Sequence, residues 1–539
     1  MTTALNTPWW KTGVIYQVYP RSFMDANDDG IGDLQGIIGK LDYLQWLGIR
    51  ALWISPIYPS PMADFGYDIA DYTAIDAQFG SLADFDELLQ EAHRRELKVI
   101  LDLVPNHTSD RHPWFIESRS SKNSPKREWY IWHDGKADGT PPNNWKSVFG
   151  GDAWEWDGHT QQYYYHGFLK EQPDLNWWNP DVQEAMFDVM RFWLDKGVDG
   201  FRVDVIWHLI KDRQLRDNPP NPDYDDTQST YNQLLPAYST DQPEVHDIVQ
   251  KMRQVVDVYD DRLIIGEVYL PLQQLMAYYG PQRNGVHMPF NFQLLTLPWH
   301  AHEIAATIDQ YEGALPDEGW PNWVLSNHDR PRVASRVGEH QALVAAVLLL
   351  TLRGTPTVYY GDEIGMRDVA IPVEEQQDPQ GLNMPEKDLS RDPCRTPMQW
   401  SNAMHAGFST AEPWLRVDKR YPRYNVQQQR ENPFSILNLY HELIALRNNE
   451  PALNQGTYTP IQSNDQYIAY QRDSPDGDSF FVMLNLSSRP CRYRQDPSQL
   501  RNGIVEISTS PELKGMVIGK QIYLSGDEGI VARLSGIVQ

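Results

Sequence analysis

The chain has 539 residues, of which 41% are hydrophobic and 22% are charged, and its mean hydropathy is −0.57. This composition is typical of globular proteins in water and excludes fibrous, disordered and low-complexity classes. Acidic residues outnumber basic residues by 73 to 47, so a formal charge of −26 disfavours nucleic acid and anionic membranes as partners.

Strand and helix patterns alternate from the N-terminus. Short apolar runs predict strands at 14–19, 51–54 and 99–104, and amphipathic segments between them predict helices. This alternation is typical of repeated βα units, which build a parallel sheet. From residue 105 to 174 it stops, and the chain becomes rich in Trp, Tyr, Asn and Gly. Structureless loops of that length are uncommon, so we expect an inserted small domain there.

The alternation resumes after the insertion and brings the number of predicted strands to eight. The additional strands are expected at 200–203, 263–266, 288–292, 323–325 and 357–360. Two polar insertions, 211–243 and 367–393, follow strands, where barrel enzymes place the loops that shape their active sites. The apolar run 342–352 is about half the length of a membrane span and predicts a buried helix.

The chain therefore divides into three predicted domains. A (β/α)₈ barrel is expected over 1–104 and 175–450, with the inserted domain over 105–174. Alternating short segments separated by turn residues predict an antiparallel β domain over 451–539.

Cysteine content and the N-terminus indicate the compartment. Cys394 and Cys491 are the only cysteines, too few for a disulfide framework. The N-terminal segment has no apolar core or cleavage pattern of a signal peptide. We therefore expect a cytoplasmic protein with no membrane partner.

Three carboxylates stand where predicted strands end. Arg202 and Asp204 lie two apart in GVDGFRVD and so point to the same face, where the guanidinium is expected to keep Asp204 ionised as a nucleophile. Glu267 follows the strand LIIG, and Asp329 ends VLSNHD. In barrel enzymes the chemistry occurs at this edge, so the three acids are candidate catalytic residues.

Converging carboxylates beside aromatic rings suggest cleavage of a glycosidic bond, in which one acid protonates the leaving oxygen and another attacks. Aromatic residues make up 12% of the chain, including 19 Trp and 28 Tyr, and flat rings can stack on sugars, although most of them are expected to fill the core. The spacing of the acids alone leaves other acid–base chemistry open.

Seven motifs together resemble those of glycoside hydrolase family 13, the α-amylase family. They are IYQVYPRSF, GYDIADY, DLVPNHTS, GFRVDV, IIGEVY, SNHDRPR and CRTPMQW, in that order between residues 9 and 407. Within the family the chain is most similar to exo-acting α-glucosidases and oligo-1,6-glucosidases. The resemblance implies a TIM barrel, an inserted domain after strand 3 and a C-terminal antiparallel β-sandwich.

The resemblance also implies roles for individual residues. Asp204 is the nucleophile, Glu267 the general acid and then base, and Asp329 the residue that stabilises the transition state. A retaining mechanism places the Asp204 and Glu267 carboxyls about 5–5.5 Å apart. The implied substrate-binding residues are Asp64, Tyr67, His107, Phe168, Gln172, Arg202, His328 and Arg395.

The segment DANDDGIGD, residues 25–33, is a candidate metal loop. The side chains of Asp25, Asn27, Asp29 and Asp33 and the carbonyl of Ile31 repeat the start of an EF-hand loop, although Gly36 stands where the bidentate Glu would be. The resemblance implies a structural Ca²⁺ or Mg²⁺ here. The alternative is a turn whose Asp and Asn side chains bond to their own backbone. No organic cofactor and no catalytic transition metal are expected.

The resemblance leaves the exact reaction open. It implies hydrolysis of short α-gluco-oligosaccharides, and Val205 after the nucleophile favours α-1,6 bonds, whereas IWHLIKD is similar to enzymes that also cleave maltose, sucrose or trehalose. A transglucosylase using the same intermediate is the main alternative. A non-catalytic relative, similar to the heavy chains of amino-acid transporters, would need a membrane span and would have lost the acids. We expect a monomer or a small homo-oligomer.

Overall fold

The computed structural model describes residues 7–475, 477–496 and 501–537. Eight parallel strands form a nearly closed barrel, which confirms the predicted fold class. In chain order they are Ile15–Val18, Ala51–Ile54, Lys98–Leu103, Gly200–Val203, Leu263–Gly266, Met288–Pro289, Asn322–Val324 and Thr355–Tyr359. The eighth strand pairs with both the seventh and the first, and the ladder then runs in sequence to the sixth strand.

The barrel strands are apolar because both of their faces are covered. All four residues of Ala51–Ile54 are buried, and in Lys98–Leu103 only Lys98 is partly exposed. Alternate side chains point inward and form one packed cluster inside the barrel, while their neighbours pack on the surrounding helices. The inward cluster includes Ile15, Ala51, Trp53, Ile100, Leu263, Ile265, Met288 and Val324.

Helices follow the strands and cover the outside of the barrel. Local sequence sets their ends: Ser81 and Asp84 form a reciprocal capping box, and Gly197 ends a helix at a φ of 102°. The longer helices are Leu82–Arg94, Pro180–Lys196, Val245–Val256, Ala301–Ala314, Glu339–Thr351 and Ile436–Asn449. Shorter helices are Trp9–Thr12, Pro20–Phe23, Leu34–Ile38, Leu41–Leu47, Pro113–Arg119, Leu272–Ala277, Gln293–Thr296, Val333–Val337, Pro379–Asn383, Val426–Glu431 and Pro451–Asn454.

The segment between the third and fourth barrel strands contains its own small sheet. Trp132–His133, Gln162–Tyr165 and Trp154–Asp157 pair antiparallel around a cluster that includes Trp145 and Trp154. Its two ends meet, because His107 and Asp174 form an antiparallel bridge. The exact boundaries of this domain, 105 and 174, stay a prediction.

The C-terminal part is antiparallel and has two layers. Its six-stranded sheet has the order Thr457–Ser463, Tyr467–Asp473, Ser479–Asn485, Gly529–Ile537, Arg501–Ser508 and Val517–Ile518. A two-stranded sheet, Cys491–Arg494 with Gln521–Leu524, packs against it through a separate apolar cluster that contains Phe481, Tyr493 and Ile522.

The apolar run predicted as a buried helix forms Glu339–Thr351, which lies between the barrel and the C-terminal sheet. Gln341 Nε2 donates to the carbonyl of Asn485 and to Asp527, and the Thr351 hydroxyl is hydrogen-bonded to the Tyr470 hydroxyl. Within the described ranges, every helix is too short or too polar to cross a bilayer.

Candidate active site

A cavity of about 660 Å³ opens at the carboxyl ends of the barrel strands. Its walls come from strand ends, from the segment after the third strand and from the two polar insertions, as predicted for 211–243 and 367–393. The lining residues include Asp64, Tyr67, His107, Phe149, Phe168, Asp204, Val205, Trp207, Ser229, Tyr231, Glu267, Tyr269, His328, Asp329, Arg330, Gln380, Leu389 and Arg391.

Arg202 is the centre of the first charged cluster and is fully buried. Its Nη1 donates to Asp102 Oδ1 at 2.8 Å and to Asp204 Oδ1 at 2.7 Å, and its Nη2 lies 2.8 Å from Glu267 Oε2. Strand register sets this arrangement, because Asp102 pairs directly with Arg202 on the neighbouring strand. One guanidinium thus faces three carboxyl groups.

The Asp204 and Glu267 backbones are fixed by the ladder that ends beside them. Asp204 N donates to the carbonyl of Leu103 at 2.8 Å, and Glu267 N donates to the carbonyl of Val203 at 2.9 Å. Each acid is therefore the first residue beyond its strand but still held by the neighbouring strand. Their carboxyls lie at the same guanidinium, Asp204 Oδ1 at 2.7 Å from Arg202 Nη1 and Glu267 Oε2 at 2.8 Å from Arg202 Nη2.

The contact between Arg202 and Asp204 is present, but its effect on Asp204 differs from the expectation. Burial and the neighbouring Glu267 carboxyl raise the pKa of Asp204 well above its usual range and outweigh Arg202. Burial likewise raises the pKa of Glu267, and it raises the pKa of Asp102 to about 6. Since one cation cannot balance three carboxylates, the cluster favours binding of a proton. A pair of acids that shares a proton suits general acid chemistry.

A second charged cluster in the cavity wall is centred on Arg391. Arg391 Nη2 lies 2.6 Å from both Asp64 Oδ1 and Asp378 Oδ1, and its Nη1 lies 3.2 Å from Asp329 Oδ1. Arg395 Nη2 lies 3.0 Å from the same Asp329 oxygen. Asp64 is buried and Arg391 is nearly so, and both residues line the cavity, so this ion pair forms part of its wall.

The two clusters place Asp329 and Asp204 in opposite electrostatic environments. Burial favours the neutral acid at Asp329, but His328, Arg391 and Arg395 outweigh it and hold the pKa of Asp329 well below its usual range. These charges therefore favour the ionised form of Asp329. A fixed negative charge at this position can stabilise positive charge that develops on a sugar ring.

His328 connects the two clusters and is neutral, because burial lowers its pKa to about 3. Its Nδ1 lies 2.8 Å from Gln17 Nε2, which can only donate, so the ring proton is on Nε2. Nε2 lies 2.6 Å from the Tyr67 hydroxyl, which in turn donates to Asp102 Oδ2 at 3.0 Å. The tautomer is thus set by Gln17, and the ring also stacks on Tyr67 at 5.3 Å.

The segment after the third strand contributes His107, Phe168 and Gln172. His107 Nε2 lies 3.1 Å from Gln172 Nε2, which also donates to Asp64 Oδ2 at 3.3 Å. The His107 ring contacts Phe168 at 5.1 Å, and burial lowers the pKa of His107 to about 4. This wall therefore presents a neutral imidazole and an aromatic ring to the cavity.

The structure brings all the predicted catalytic and substrate-binding residues together. Asp64, Tyr67, His107, Phe168, His328 and the three acids line the cavity, while Gln172, Arg202 and Arg395 lie fully buried behind it. The sequence reasoning missed Asp102, Arg391 and Asp378. Asp102 could have been found from its place in the third strand, beside Arg202, whereas no sequence signal relates Arg391 to Asp64.

The loop 25–33 bonds largely to itself. Asp25 Oδ1 accepts from the backbone N–H groups of Asn27 and Asp28, and its Oδ2 accepts from Gly30 N and the Ser409 hydroxyl. Asp33 caps the helix Leu34–Ile38. In the part of the chain that the structure describes, no three His, Cys, Asp or Glu side chains are grouped to hold a metal. The side chains seen here fit the self-bonded turn, and the Ca²⁺ or Mg²⁺ site stays a prediction.

A carboxylate-lined cavity at the carboxyl end of a (β/α)₈ barrel is the arrangement of an active site in barrel enzymes. The family model "Alpha amylase, catalytic domain" matches residues 17–456. The chain belongs to this family, glycoside hydrolase family 13, as the seven motifs predicted, and it is similar to proteins named alpha-glucosidase and oligo-1,6-glucosidase.

Similar proteins support this assignment over most of the chain. A probable alpha-glucosidase of Rhizobium meliloti (strain 1021) is 43% identical over 505 residues, which is 90% of this chain and 91% of that protein. An oligo-1,6-glucosidase of Parageobacillus thermoglucosidasius is 41% identical, covering 90% and 92%. The crystal structure of the alpha-glucosyl transfer enzyme XgtA has a TM-score of 0.92 and 39% identity, covering 98% of this chain and 100% of that one.

Proposed function

We propose that the protein is a retaining exo-α-glucosidase that releases the terminal non-reducing glucose from short α-linked oligosaccharides. The observation that carries the proposal is the meeting of Asp204, Glu267 and Asp329 in one cavity, with the Asp64–Arg391 ion pair in its wall. Exo cleavage is part of the proposal because the seven motifs resemble those of exo-acting α-glucosidases.

The first half of the reaction uses both members of the carboxyl pair. An Asp204 oxygen forms a bond to the anomeric carbon while the bond from that carbon to the glycosidic oxygen breaks, and Glu267 gives its proton to that oxygen. Asp329 remains ionised and stabilises the positively charged ring in the transition state. The product is a glucosyl ester on Asp204 and the shortened sugar.

In the second half, water replaces the shortened sugar. Glu267, now ionised, takes a proton from the water, whose oxygen attacks the anomeric carbon and releases Asp204. Two inversions leave the α configuration of the glucose unchanged.

The linkage is proposed to be α-1,6, α-1,4 or both. Val205 lines the cavity directly after the nucleophile, where the resemblance associates Val with α-1,6 bonds. Similarity to an oligo-1,6-glucosidase supports the same preference. The test is a panel of isomaltose, maltose, sucrose and trehalose, with the released anomer followed by NMR. Initial release of β-glucose would contradict the retaining mechanism.

Transglucosylation is the second candidate, because a sugar can take the place of water at the same intermediate. Similarity to a structure named an alpha-glucosyl transfer enzyme supports it. Products of the same panel separate the two: rearranged disaccharides with little free glucose would show that transfer is the main reaction.

A further inference from the structure

We propose that the backbone N–H of Val205 positions the acid Glu267, so that residue 205 acts through its main chain as well as through its side chain. This inference rests on the proposed function, because it assigns a task to Glu267. Val205 N donates to Glu267 Oε2 at 2.8 Å. The residue has φ 36° and ψ 45°, in the left-handed region that β-branched residues rarely enter.

The left-handed conformation is imposed from both sides of Val205. On one side, Asp204 N is held by the carbonyl of Leu103 at 2.8 Å. On the other, the carbonyl of Val205 accepts from His208 N at 2.8 Å, which begins the turn Ile206–His208. A strained backbone persists when its surroundings determine it in this way, and such residues cluster at functional sites.

The conformation aims the N–H at one particular oxygen. Glu267 Oε2 accepts this bond and also lies 2.8 Å from Arg202 Nη2. Because Oε2 accepts the Val205 N–H and lies beside the Arg202 cation, the proton that the acid transfers resides on Oε1. The Val205 N–H thus selects which oxygen of Glu267 faces the leaving group.

The same bond affects the charge of the acid. An N–H group that donates to a carboxylate favours the ionised form, so it opposes the effect of burial on Glu267. Removing the N–H while keeping the side chain should therefore raise the pKa of Glu267 and loosen its orientation. The two effects have separate readouts, a pH profile and a dependence on the leaving group.

The test replaces the Val205 amide by an ester, by incorporating 2-hydroxyisovaleric acid at position 205. At high pH kcat/KM falls because the acid of the carboxyl pair loses its proton, and this fall is the basic limb of the pH profile. In the ester variant we expect the midpoint of the basic limb to rise by about one pH unit. The loss of kcat/KM should be larger for isomaltose than for 4-nitrophenyl α-glucoside, which needs less protonation.

Two controls separate this effect from a general loss of structure. An ester at Val99 removes a similar buried bond, in which Val99 N donates to Asp199 Oδ2 at 2.9 Å, at the opposite end of the barrel. That variant should keep the basic limb in place. Val205→Thr changes the side chain and keeps the N–H, so its basic limb should also stay.

An active Val205 ester with its basic limb at the wild-type pH would overturn the proposal. If the ester variant does not fold, the Val205 amide is followed by NMR against pH in the wild-type enzyme labelled with ¹⁵N-valine. The Val205 amide resonance should titrate with the basic limb and lose this titration in Glu267→Gln, and an amide that does not titrate refutes the contact. A wild-type protein inactive on every α-glucoside would instead refute the proposed function, and the amide titration would remain readable.

Discussion

Replacing Glu267 by Gln tests the assignment of the acid with little change of shape. Glu267 is buried, and a Gln side chain can keep its oxygen on Val205 N and next to Arg202. The amide cannot give a proton to the leaving oxygen. We therefore expect kcat/KM for isomaltose to fall by ~10²–10⁴-fold, which is about 3–5 kcal/mol of transition-state stabilisation.

The same substitution should affect the nucleophile in the opposite sense. After burial, the Glu267 carboxyl is the largest influence that raises the pKa of Asp204. Without that carboxyl the pKa of Asp204 falls, so Asp204 is ionised at lower pH than in the wild type. The acid limb of kcat/KM in Glu267→Gln should move to lower pH, because that limb reports the ionised nucleophile.

The assay measures kcat/KM from pH 4 to 9 on isomaltose and on 4-nitrophenyl α-glucoside, with circular dichroism as the control for folding. The aryl glucoside has a good leaving group and should lose less than about tenfold. Equal losses on both substrates would refute the acid role of Glu267. An acid limb that moves upward would refute the electrostatic coupling between the two carboxyls.

Three further predictions follow from the site and the metal loop. Asp204→Asn should reduce turnover by at least about 10⁴-fold with an unchanged melting temperature, and a variant that keeps a tenth of the wild-type rate would exclude Asp204 as nucleophile. Arg391→Met leaves the buried Asp64 and Asp378 without the Arg391 cation and should lower the free energy of unfolding by ~3–5 kcal/mol in urea titrations. Arg391→Lys keeps a cation and should be destabilised less. A Met variant as stable as the wild type would contradict this ion-pair network. If the loop 25–33 binds a structural ion, chelation by EDTA should lower Tm more than it lowers kcat, and Asp29→Ala should abolish the effect of EDTA on Tm. A wild-type Tm that does not change with EDTA would contradict a structural metal in this loop.

The barrel was predictable because each strand is a local pattern. Apolar runs and helical periods marked eight strands and the buried helix Glu339–Thr351, and their ends differ from the expectation by a few residues. The largest difference is at 288–292, where only Met288–Pro289 forms the strand. Phe290 N still bonds to the carbonyl of Gly266, but Asn291 then starts a turn with its side chain, which ends the ladder.

The site was predictable only where strand ends determine it. Asp204, Glu267 and Asp329 follow strands, so their convergence followed from the barrel. Arg391 bonds to Asp64, which is 327 residues away, and a single sequence contains no pattern that relates two such positions. The pKa of Asp204 depends on burial and on Glu267, which only coordinates provide.

The position of the helix Glu339–Thr351 has a consequence for how the molecule can be divided. Its second apolar side is covered by the C-terminal sheet, and Arg472 of that sheet donates to the carbonyl of Thr351. A chain truncated near residue 455 would leave Leu and Val side chains of this helix in contact with solvent. The barrel part is therefore not an autonomous fragment. We expect the barrel and the C-terminal sheet to melt together in one calorimetric transition and the truncated protein to aggregate.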